Sequence, residues 1–456
     1  MQKLNLYNFR IWIDKLYRQR IKILFIFYLL LIAVYTGVRI VNVVNIINNI
    51  REAGDTSVYL RMASYPIRSV LFWGGTRPFT VPLLYKILNS NFTLIAISQL
   101  FFSALCWIFL AVQIRKKIHS AWLKEISFII ILLFSLSENI IGWDTVMLSE
   151  SISVSLMVLF LASWLWILNG WNWQKIIFLS VVAFFWMFSR ETNSWIILTI
   201  AGITAAIGIM KKFNRKYFAF TGIFLLFFIA NEISFNLGNR WVFPFLNILT
   251  QRILPQPQYT AFFSDNGMPI TPALIRMSGL WASSDNWAFY RDPALEDFRK
   301  WLYKNGESTY IKWLLSRPYE TIKEPVVNIK QLLSFKGKDY FTYGFSPVLP
   351  VFVDSIIYPN DHLNFVVLYL CFIIFIVIYM IFVKKVYISD PIWILLLSII
   401  LMIYPHAFLI WHGDAMEIGR HSLQLGIQFF LCAWIVIFFT GDYIFCGKLK
   451  KELNKI

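Results

Sequence analysis

The chain has 456 residues, of which 58% are hydrophobic, 18% are aromatic and only 15% are charged. A soluble domain carries about 25% charged residues, so this composition excludes a soluble protein, and it equally excludes a disordered, collagen-like or coiled-coil chain. The 42 basic and 25 acidic residues give a net charge of +17. In a membrane protein such an excess reflects Lys and Arg in cytoplasmic loops, and we therefore expect membrane lipids rather than nucleic acid as partners.

The N-terminal segment predicts an uncleaved membrane span. Six basic residues precede an apolar run that is too long for a signal-peptide core and has no clear small-residue cleavage site. A bilayer needs about 20 apolar residues per helix, and about ten segments approach that length, the fifth and sixth being short. They are residues 23–44, 92–114, 126–141, 152–168, 173–188, 195–210, 217–231, 365–383, 392–411 and 425–440.

Basic residues fall on one face when the loops between these spans are alternated, and this face is predicted to be cytoplasmic, with both termini on it. The interval of residues 236–363 then lies outside and carries helix signals of its own, such as the Asp292-Pro293 start. We predict three parts. They are an N-terminal transmembrane module with candidate catalytic outer loops (1–235), an extracytoplasmic helical cap (236–363) and a C-terminal transmembrane module (364–456).

The first outer loop is the richest in charge. Five of its residues are Lys or Arg on the outer side, which an anionic substrate or an interfacial helix against lipid headgroups would explain. Asp55 follows the first span and either acts as a general base or caps the next helix. Tyr59, Arg61 and Arg77 of the same loop are candidate substrate-binding residues.

Three further outer loops add polar side chains. Glu150 lies at the start of the fourth span, where it is either a second functional carboxylate or a residue favoured by the helix dipole, and Asp144 is its alternate. Arg190 either pairs with the adjacent Glu191 or contributes to the site. Arg420 and His421 stand at the mouth of the last span, where they either reach a phosphate at headgroup depth or extend to the interface.

Several of these stretches occur in an order that resembles the GT-C glycosyltransferase superfamily, in particular its bacterial members related to protein O-mannosyltransferases and to aminoarabinose transferase. The resemblance covers about the first 200 and the last 50 residues. It is carried by Gly54-Asp55 with Tyr59, by the Arg77-Pro78-Phe79-Thr80-Val81-Pro82-Leu83-Leu84 run, by Met147-Leu148-Ser149-Glu150-Ser151, by Arg190-Glu191-Thr192-Asn193 and by Gly419-Arg420-His421.

The resemblance implies an all-α integral membrane protein with a GT-C-like helix bundle and an extracytoplasmic helical loop domain. It implies an inverting enzyme of the plasma membrane that moves a sugar from a polyprenyl-phosphate donor to a lipid, protein or envelope-polymer acceptor at the outer face. Asp55 would be the base, Glu150 would position substrate, and Arg61, Arg77, Arg190 and Arg420 would be candidates to hold the phosphate.

The sequence also departs from this family. Relatives have eleven to thirteen spans against about ten here, Glu191 replaces a Pro, and the first loop has no Asp-x-Asp. Because that pattern is missing, we expect no metal ion and no cofactor other than the donor. Two other classes stay open, namely a flippase or transporter of lipid-linked saccharides and an envelope assembly protein without catalysis. Charged residues gather at the outer ends of the predicted spans rather than near their middle, and this favours an enzyme over a transporter.

Overall fold

The computed structural model describes residues 2–210, 215–360, 363–384 and 391–453. Every element in these ranges is a helix, and they contain no β-strand, so the chain is an all-α membrane protein. Lys211, Lys212 and Lys385, three of the basic loop residues assigned to the predicted cytoplasmic face, lie outside the described residues.

Within residues 2–210 and 215–237 the structure forms eleven α-helices. The longest begin or end close to the predicted span boundaries, because continuous apolar runs bury or shield their backbone polar groups best as helices. They are α1 (Gln2–Ile46), α2 (Thr56–Ser64), α3 (Val70–Trp73), α4 (Thr80–Ile87), α5 (Phe92–Lys117), α6 (Ala121–Ser135), α7 (Glu138–Ile141), α8 (Glu150–Ile167), α9 (Trp173–Met187), α10 (Glu191–Met210) and α11 (Arg215–Leu237). Short 3₁₀ turns cover Ile47–Asn49 and Gly142–Thr145.

Short helices follow α11, and the extracytoplasmic cap predicted for this stretch stays a prediction. They are α12 (Val242–Ile248), α13 (Pro257–Asp265), α14 (Pro272–Arg276), α15 (Ser284–Arg291), α16 (Glu296–Trp301), α17 (Glu307–Ser316), α18 (Pro318–Val327), α19 (Ile329–Leu333) and α20 (Val351–Ile357), with 3₁₀ or π turns at Leu249–Ile253, Pro293–Leu295, Leu302–Gly306 and Gly337–Tyr340. Asp292 accepts a hydrogen bond from the Ala294 N–H, which confirms the predicted Asp-Pro start. The chain ends with α21 (Leu363–Ile378), a π turn (Tyr379–Val383), α22 (Ile392–Leu401), α23 (Ile403–Gly413) and α24 (Ile418–Leu453).

Seven described helical segments are long and apolar enough to cross a membrane. They are Ile23–Asn49, Phe92–Lys117, Glu150–Ile167, Glu191–Met210, Arg215–Leu237, Ile392–Gly413 and Ile418–Cys446. A bent pair, Ala121–Ser135 with Glu138–Thr145, forms an eighth if its 55° break lies within one span. Trp173–Met187 and Cys371–Val383 are apolar but shorter. These shorter helices coincide with predicted spans, and the count of ten stays a prediction.

The centre of the bundle is formed by α8 and α24. In their most apolar windows 83% and 78% of the residues are buried, against 11% for the first span. An evenly apolar helix buried on all sides belongs in the middle of a membrane bundle, and one exposed along most of its length borders the lipid. α5 packs against α1, α6 and α8, and α24 packs against α8, α19 and α23. The starts of α8 and α24 therefore lie close together.

A second hydrophobic cluster is formed by residues 242–314 together with Ala415. It is joined to α23 by specific contacts. Tyr310 donates a hydrogen bond to the carbonyl of His412 at 2.8 Å, and the Trp411 indole donates to Glu324 at 3.1 Å. The short helices after α11 are thus attached to the same end of the bundle at which α23 ends.

The turn after α3 packs tightly against the end of α11. A Cβ atom at Gly238 would lie 2.2 Å from the carbonyl oxygen of Gly75, which is closer than any side chain tolerates. A Cβ at Gly74 would meet the Leu237 side chain at 2.9 Å. Glycine at these positions lets two backbones approach directly, and this fixes the turn that leads into Arg77.

Candidate functional site

Asp55 lies between the first span and α2, at the N-cap position of α2, yet its side chain makes no cap hydrogen bond. Its Oδ1 instead accepts from Arg77 Nη2 at 2.6 Å, and its Oδ2 accepts from Arg420 Nη2 at 3.1 Å. Burial raises the pKa of this carboxyl, but the charges of Arg77 and Arg420 outweigh burial and hold the pKa below its usual range. Asp55 is therefore ionised and doubly paired.

Glu150 is the first residue of α8 and is almost fully buried. Its Oε1 lies 3.5 Å from Arg190 Nη1 and 3.6 Å from Arg420 Nε, and its Oε2 is buried without a hydrogen-bond partner. Neither ion pair is a well-formed hydrogen bond. A buried carboxylate oxygen left free in this way is an unfilled acceptor site, available to a substrate hydroxyl or amine.

Arg420 is the centre of the arrangement. Besides Asp55 and Glu150 it contacts Glu417, with 2.8 Å between Nη2 and Oε2. Glu417 has a positive φ of 50°, an uncommon conformation for a residue other than glycine, and Tyr340 donates to its Oε1 at 2.8 Å. We call the following residues the polar cluster: Asp55, Arg77, Glu150, Arg190, Glu417 and Arg420.

His421 extends this arrangement as a hydrogen-bond acceptor. Its Nδ1 lies 2.8 Å from Arg190 Nη2, and since a guanidinium can only donate, Nδ1 carries no proton. The ring proton is then on Nε2, 3.8 Å from Asp414 Oδ2. His421 therefore orients Arg190, and the sequence prediction of a direct phosphate contact for His421 remains untested.

Asp414 lies behind His421, between α23 and α24. It accepts hydrogen bonds from the Met416 N–H at 2.8 Å and from the Asn247 side chain at 3.1 Å. Burial raises the pKa of Asp414 to about 6, against the opposing effect of these hydrogen bonds. Asn247 belongs to α12, so that Asp414 links the second hydrophobic cluster to the edge of the polar cluster.

Tyr59 and Arg61 were both predicted from the first loop and differ in their placement. Tyr59 is buried in α2. Burial raises its pKa to about 12; Arg77 acts in the opposite direction, while Asp55 and Glu150 reinforce the rise, so the phenol keeps its proton at neutral pH. Arg61 is exposed, and no contact among the described residues joins its side chain to the polar cluster.

Asp144 lies outside the polar cluster. It is fully buried within the bundle and pairs with Arg39 of the first span, whose Nη2 lies 2.6 Å from Asp144 Oδ2. Arg39 also donates to Tyr35 and to Ser103, each at 2.8 Å. These bonds satisfy most of the hydrogen-bonding capacity of both side chains. Asp144 is therefore the counter-ion of Arg39, whereas Glu150 belongs to the polar cluster.

Sequence reasoning missed Glu417, Tyr340 and Arg240. The signal for Glu417 is its position three residues before Arg420 at the start of a helix, where opposite charges meet on one face. Tyr340 lies in a 3₁₀ turn far from both in the sequence. Arg240 lies just beyond α11 and holds the turn before Arg77, with 2.7 Å between its Nε and the Gly75 carbonyl.

The site is closed in this state. The void that Glu150 lines, together with Trp143 and Ser151, has no room for a water-sized sphere. A larger, almost wholly apolar cavity of about 130 Å³ lies deeper, between α8, α10, α22 and α24, and is lined by Trp164, Trp186 and Gln428 among others. Among the described residues, no group of three or more His, Cys, Asp or Glu side chains is arranged to hold a metal ion.

Comparison of the chain with protein-family models, with curated proteins and with solved structures gives no match. The geometry itself defines a buried cluster of ion pairs, assembled at the N-terminal ends of α2, α4, α8, α10 and α24 of a multi-span helical protein.

Proposed function

We propose that the chain is an inverting glycosyltransferase of the GT-C type, which moves a sugar from a polyprenyl-phosphate donor to an acceptor at the outer face of the plasma membrane. One observation carries the proposal. Arg420 contacts the carboxylates of Asp55 and Glu150, which come from two separate loops, at 3.1 and 3.6 Å. Carboxylates and guanidiniums meeting at the end of a membrane bundle provide a base and a phosphate site together.

In the proposed reaction the bond between the anomeric carbon and the phosphate oxygen breaks, and its electron pair leaves with the phosphate. The acceptor oxygen or nitrogen forms the new bond from the opposite face, and its proton passes to Asp55. The leaving phosphate gains one negative charge, which Arg77, Arg190 and Arg420 would stabilise. Such positioned acid–base catalysis contributes about 100- to 10,000-fold.

The pairing of Asp55 suggests how donor binding would activate the base. A carboxylate between two guanidiniums is weakly basic, because both charges favour its ionised form. A donor phosphate competes for the same guanidiniums and would release Asp55 from at least one of them. The pKa of Asp55 then rises, and the carboxylate becomes a better proton acceptor when the sugar is in place.

The wider architecture in this proposal is a bundle of about ten spans, with the bent α6–α7 pair and the two shorter apolar helices included. Residues 236–363 would form an extracytoplasmic cap, and both termini would be cytoplasmic. The attachment of the second hydrophobic cluster at the end of α23, close to Arg420, supports a role of this cap in selecting the acceptor.

A transporter of lipid-linked saccharides remains the main competing function. Charged residues inside spans often mark transport pathways, and Arg39 with Asp144 is such a pair. However, Tyr35 and Ser103 close this pair by hydrogen bonds, and the surrounding side chains bury it completely. The arrangement is that of a structural ion pair, which supports the enzyme over the transporter.

The proposal is tested by comparing envelopes of cells that lack the gene with cells that carry wild-type, Asp55→Asn or Asp297→Asn protein. We expect one saccharide to disappear from a lipid, protein or polymer fraction and to return with wild type and with Asp297→Asn, whose carboxyl is exposed on α16. Asp55→Asn should fold and fail to restore it. Full restoration by Asp55→Asn would remove this residue as the base, and an unchanged envelope in the deletion strain would contradict the transferase.

A further inference from the structure

The polar cluster contains three guanidiniums and three carboxylates, so its formal net charge is zero. A phosphodiester that joins a sugar to a lipid carries one negative charge. Binding it within a neutral, buried cluster would leave an uncompensated anion, which costs several kcal/mol. A further cation close to the cluster would remove that penalty.

Arg240 is such a cation. Four arginines are buried in the described part of the chain, and of these only Arg240 has no carboxylate within 4.0 Å. Burial lowers the pKa of Arg240 to about 10, partly opposed by the more distant charge of Glu191, so the group stays protonated at neutral pH. A buried guanidinium without a counter-ion is unfavourable in the free protein and becomes favourable when an anion binds.

The hydrogen bonds of Arg240 direct it to the turn that carries Arg77. Its Nε donates to the Gly75 carbonyl at 2.7 Å, and its Nη2 donates to Ser234 Oγ at 2.9 Å. Its Nη1 is buried and has no partner, and neither has Nε of Arg77. The charge of Arg77 is near enough to contribute to the lowered pKa of Arg240. An unfilled donor is thus present on each of two guanidiniums that the same turn connects.

We infer that Arg240 is a second phosphate-binding residue that acts with Arg77 on the donor's phosphate, a step that rests on the proposed function. The neutral cluster together with Arg240 carries one net positive charge, which matches the single negative charge of a phosphodiester that joins a sugar to a lipid. Planar guanidiniums that share a phosphate bind its oxygens with directed, charge-assisted hydrogen bonds. The close approach of Gly238 to Gly75 holds the backbone just before Arg240 against the backbone just before Arg77.

Binding of farnesyl phosphate to the full-length protein in phosphatidylcholine nanodiscs, measured by calorimetry and by thermal stabilisation, tests this inference. Arg240→Gln should weaken binding by about tenfold or more, the loss typical of a charged hydrogen bond. Arg252→Gln is a matched control, because Arg252 is half-buried, donates like Arg240 to a backbone carbonyl, that of Trp411, and also has an unpartnered nitrogen, Nη2. It should stay within about twofold of wild type.

Equal affinity of Arg240→Gln and wild type would overturn the inference. If Arg240→Gln does not fold, phenylglyoxal modification of arginines in the wild-type protein tests the inference instead. Farnesyl phosphate should protect Arg240 from modification and leave Arg252 unprotected. Equal labelling of Arg240 with and without farnesyl phosphate would overturn the inference. Inorganic phosphate should compete weakly. Phosphatidylglycerol binding as tightly as farnesyl phosphate would instead assign the site to a bulk lipid headgroup and overturn the donor role.

These outcomes separate the inference from the proposed function. If farnesyl phosphate binding depends on Arg240 but the protein has no transfer activity, the phosphate site is supported and the proposed transferase function is contradicted. If binding and transfer depend on Arg77 and Arg420 but not on Arg240, the proposed transferase function is supported and the role of Arg240 is overturned.

Discussion

Arg420 Nη2 lies 3.1 Å from Asp55 Oδ2, although 365 residues separate them in the chain. The contact joins the first loop to the start of the last helix. Asp55 precedes α2 and Arg420 opens the helix at the centre of the bundle, so the ends of the chain's two transmembrane parts are held together at this point. Donor and acceptor sites built around this pair would depend on both parts.

Arg420→Gln should reduce sugar transfer by at least about 100-fold, because it removes a cation proposed to stabilise the leaving phosphate and leaves Asp55 and Glu417 without their shared partner. Initial rates of transfer from a polyprenyl-phosphate sugar are the measurement. Arg420→Lys should have an intermediate transfer rate, since lysine keeps the positive charge and loses the planar, bidentate hydrogen-bonding geometry of the guanidinium. Unchanged rates in Arg420→Gln would contradict a role for this residue in the site.

His421 should tolerate Asn better than Gln. The amide oxygen of Asn takes the place of Nδ1 and can still accept from Arg190, whereas that of Gln reaches the region of Nε2. We expect His421→Asn to keep transfer within about threefold of wild type and His421→Gln to lose about tenfold. The reverse order of the two variants would show that His421 acts through Nε2.

Asp414 should make stability fall as the pH rises from about 4 to 6. Its folded pKa is about 6 against 3.8 for the ordinary group, so the folded protein holds the proton more tightly than the unfolded chain. The associated stability, about 3 kcal/mol, is complete below the unfolded pKa and is lost above the folded pKa. Asp414→Asn should therefore raise the melting temperature relative to wild type at pH 8, whereas that advantage should vanish near pH 4. Parallel melting curves across this pH range would exclude the titration of Asp414.

Arg39→Gln should destabilise the protein by about 3–5 kcal/mol, because Asp144 is then a buried charge without a counter-ion. The double variant Arg39→Met with Asp144→Leu should melt at a higher temperature than either single variant. Arg115→Gln is the control. The Arg115 ion pair to Glu125, at 3.5 Å, is about one-third exposed, and its loss should cost about 1 kcal/mol or less. Melting in nanodiscs measures all five variants, and equal losses for Arg39→Gln and Arg115→Gln would contradict the buried pair.

EDTA should leave transfer nearly intact, since guanidiniums rather than a metal ion are assigned to the phosphate. The measurement is transfer by the purified protein before and after chelation. Complete loss of activity that magnesium or manganese restores would place a metal ion in the reaction.

The fold class was predictable because hydrophobic composition and run length report directly on membrane helices. The three arginines and three carboxylates of the polar cluster were harder to predict. Asp55, Arg77, Glu150, Arg190 and Arg420 could be selected from the sequence, because charge beside an apolar run is costly and therefore informative. Apart from the pair of Arg420 with Glu417, the ion pairs of the cluster join residues that lie far apart in the sequence or on different helices, so most of the pairing could not be predicted.

Arg240 and Tyr340 are residues whose place in the site could not be predicted from the sequence. Neither belongs to a periodic pattern or a charge cluster, and their positions depend on tertiary contacts with Gly75 and Glu417. Asp144 shows the converse. It looked equivalent to Glu150 in the sequence, but a partner more than 100 residues away, Arg39, takes it into the interior of the bundle.

The arginines of the polar cluster are already occupied when no ligand is present, and this constrains the kinetics of encounter. A phosphate that binds the Nη2 atoms of Arg77 and Arg420 has to open their ion pairs with Asp55 first. Above a certain ligand concentration the observed association rate should therefore level off at the opening rate of the Asp55 pairs. Association limited by such a gate would be nearly insensitive to ionic strength, in contrast to capture by a solvent-exposed basic patch.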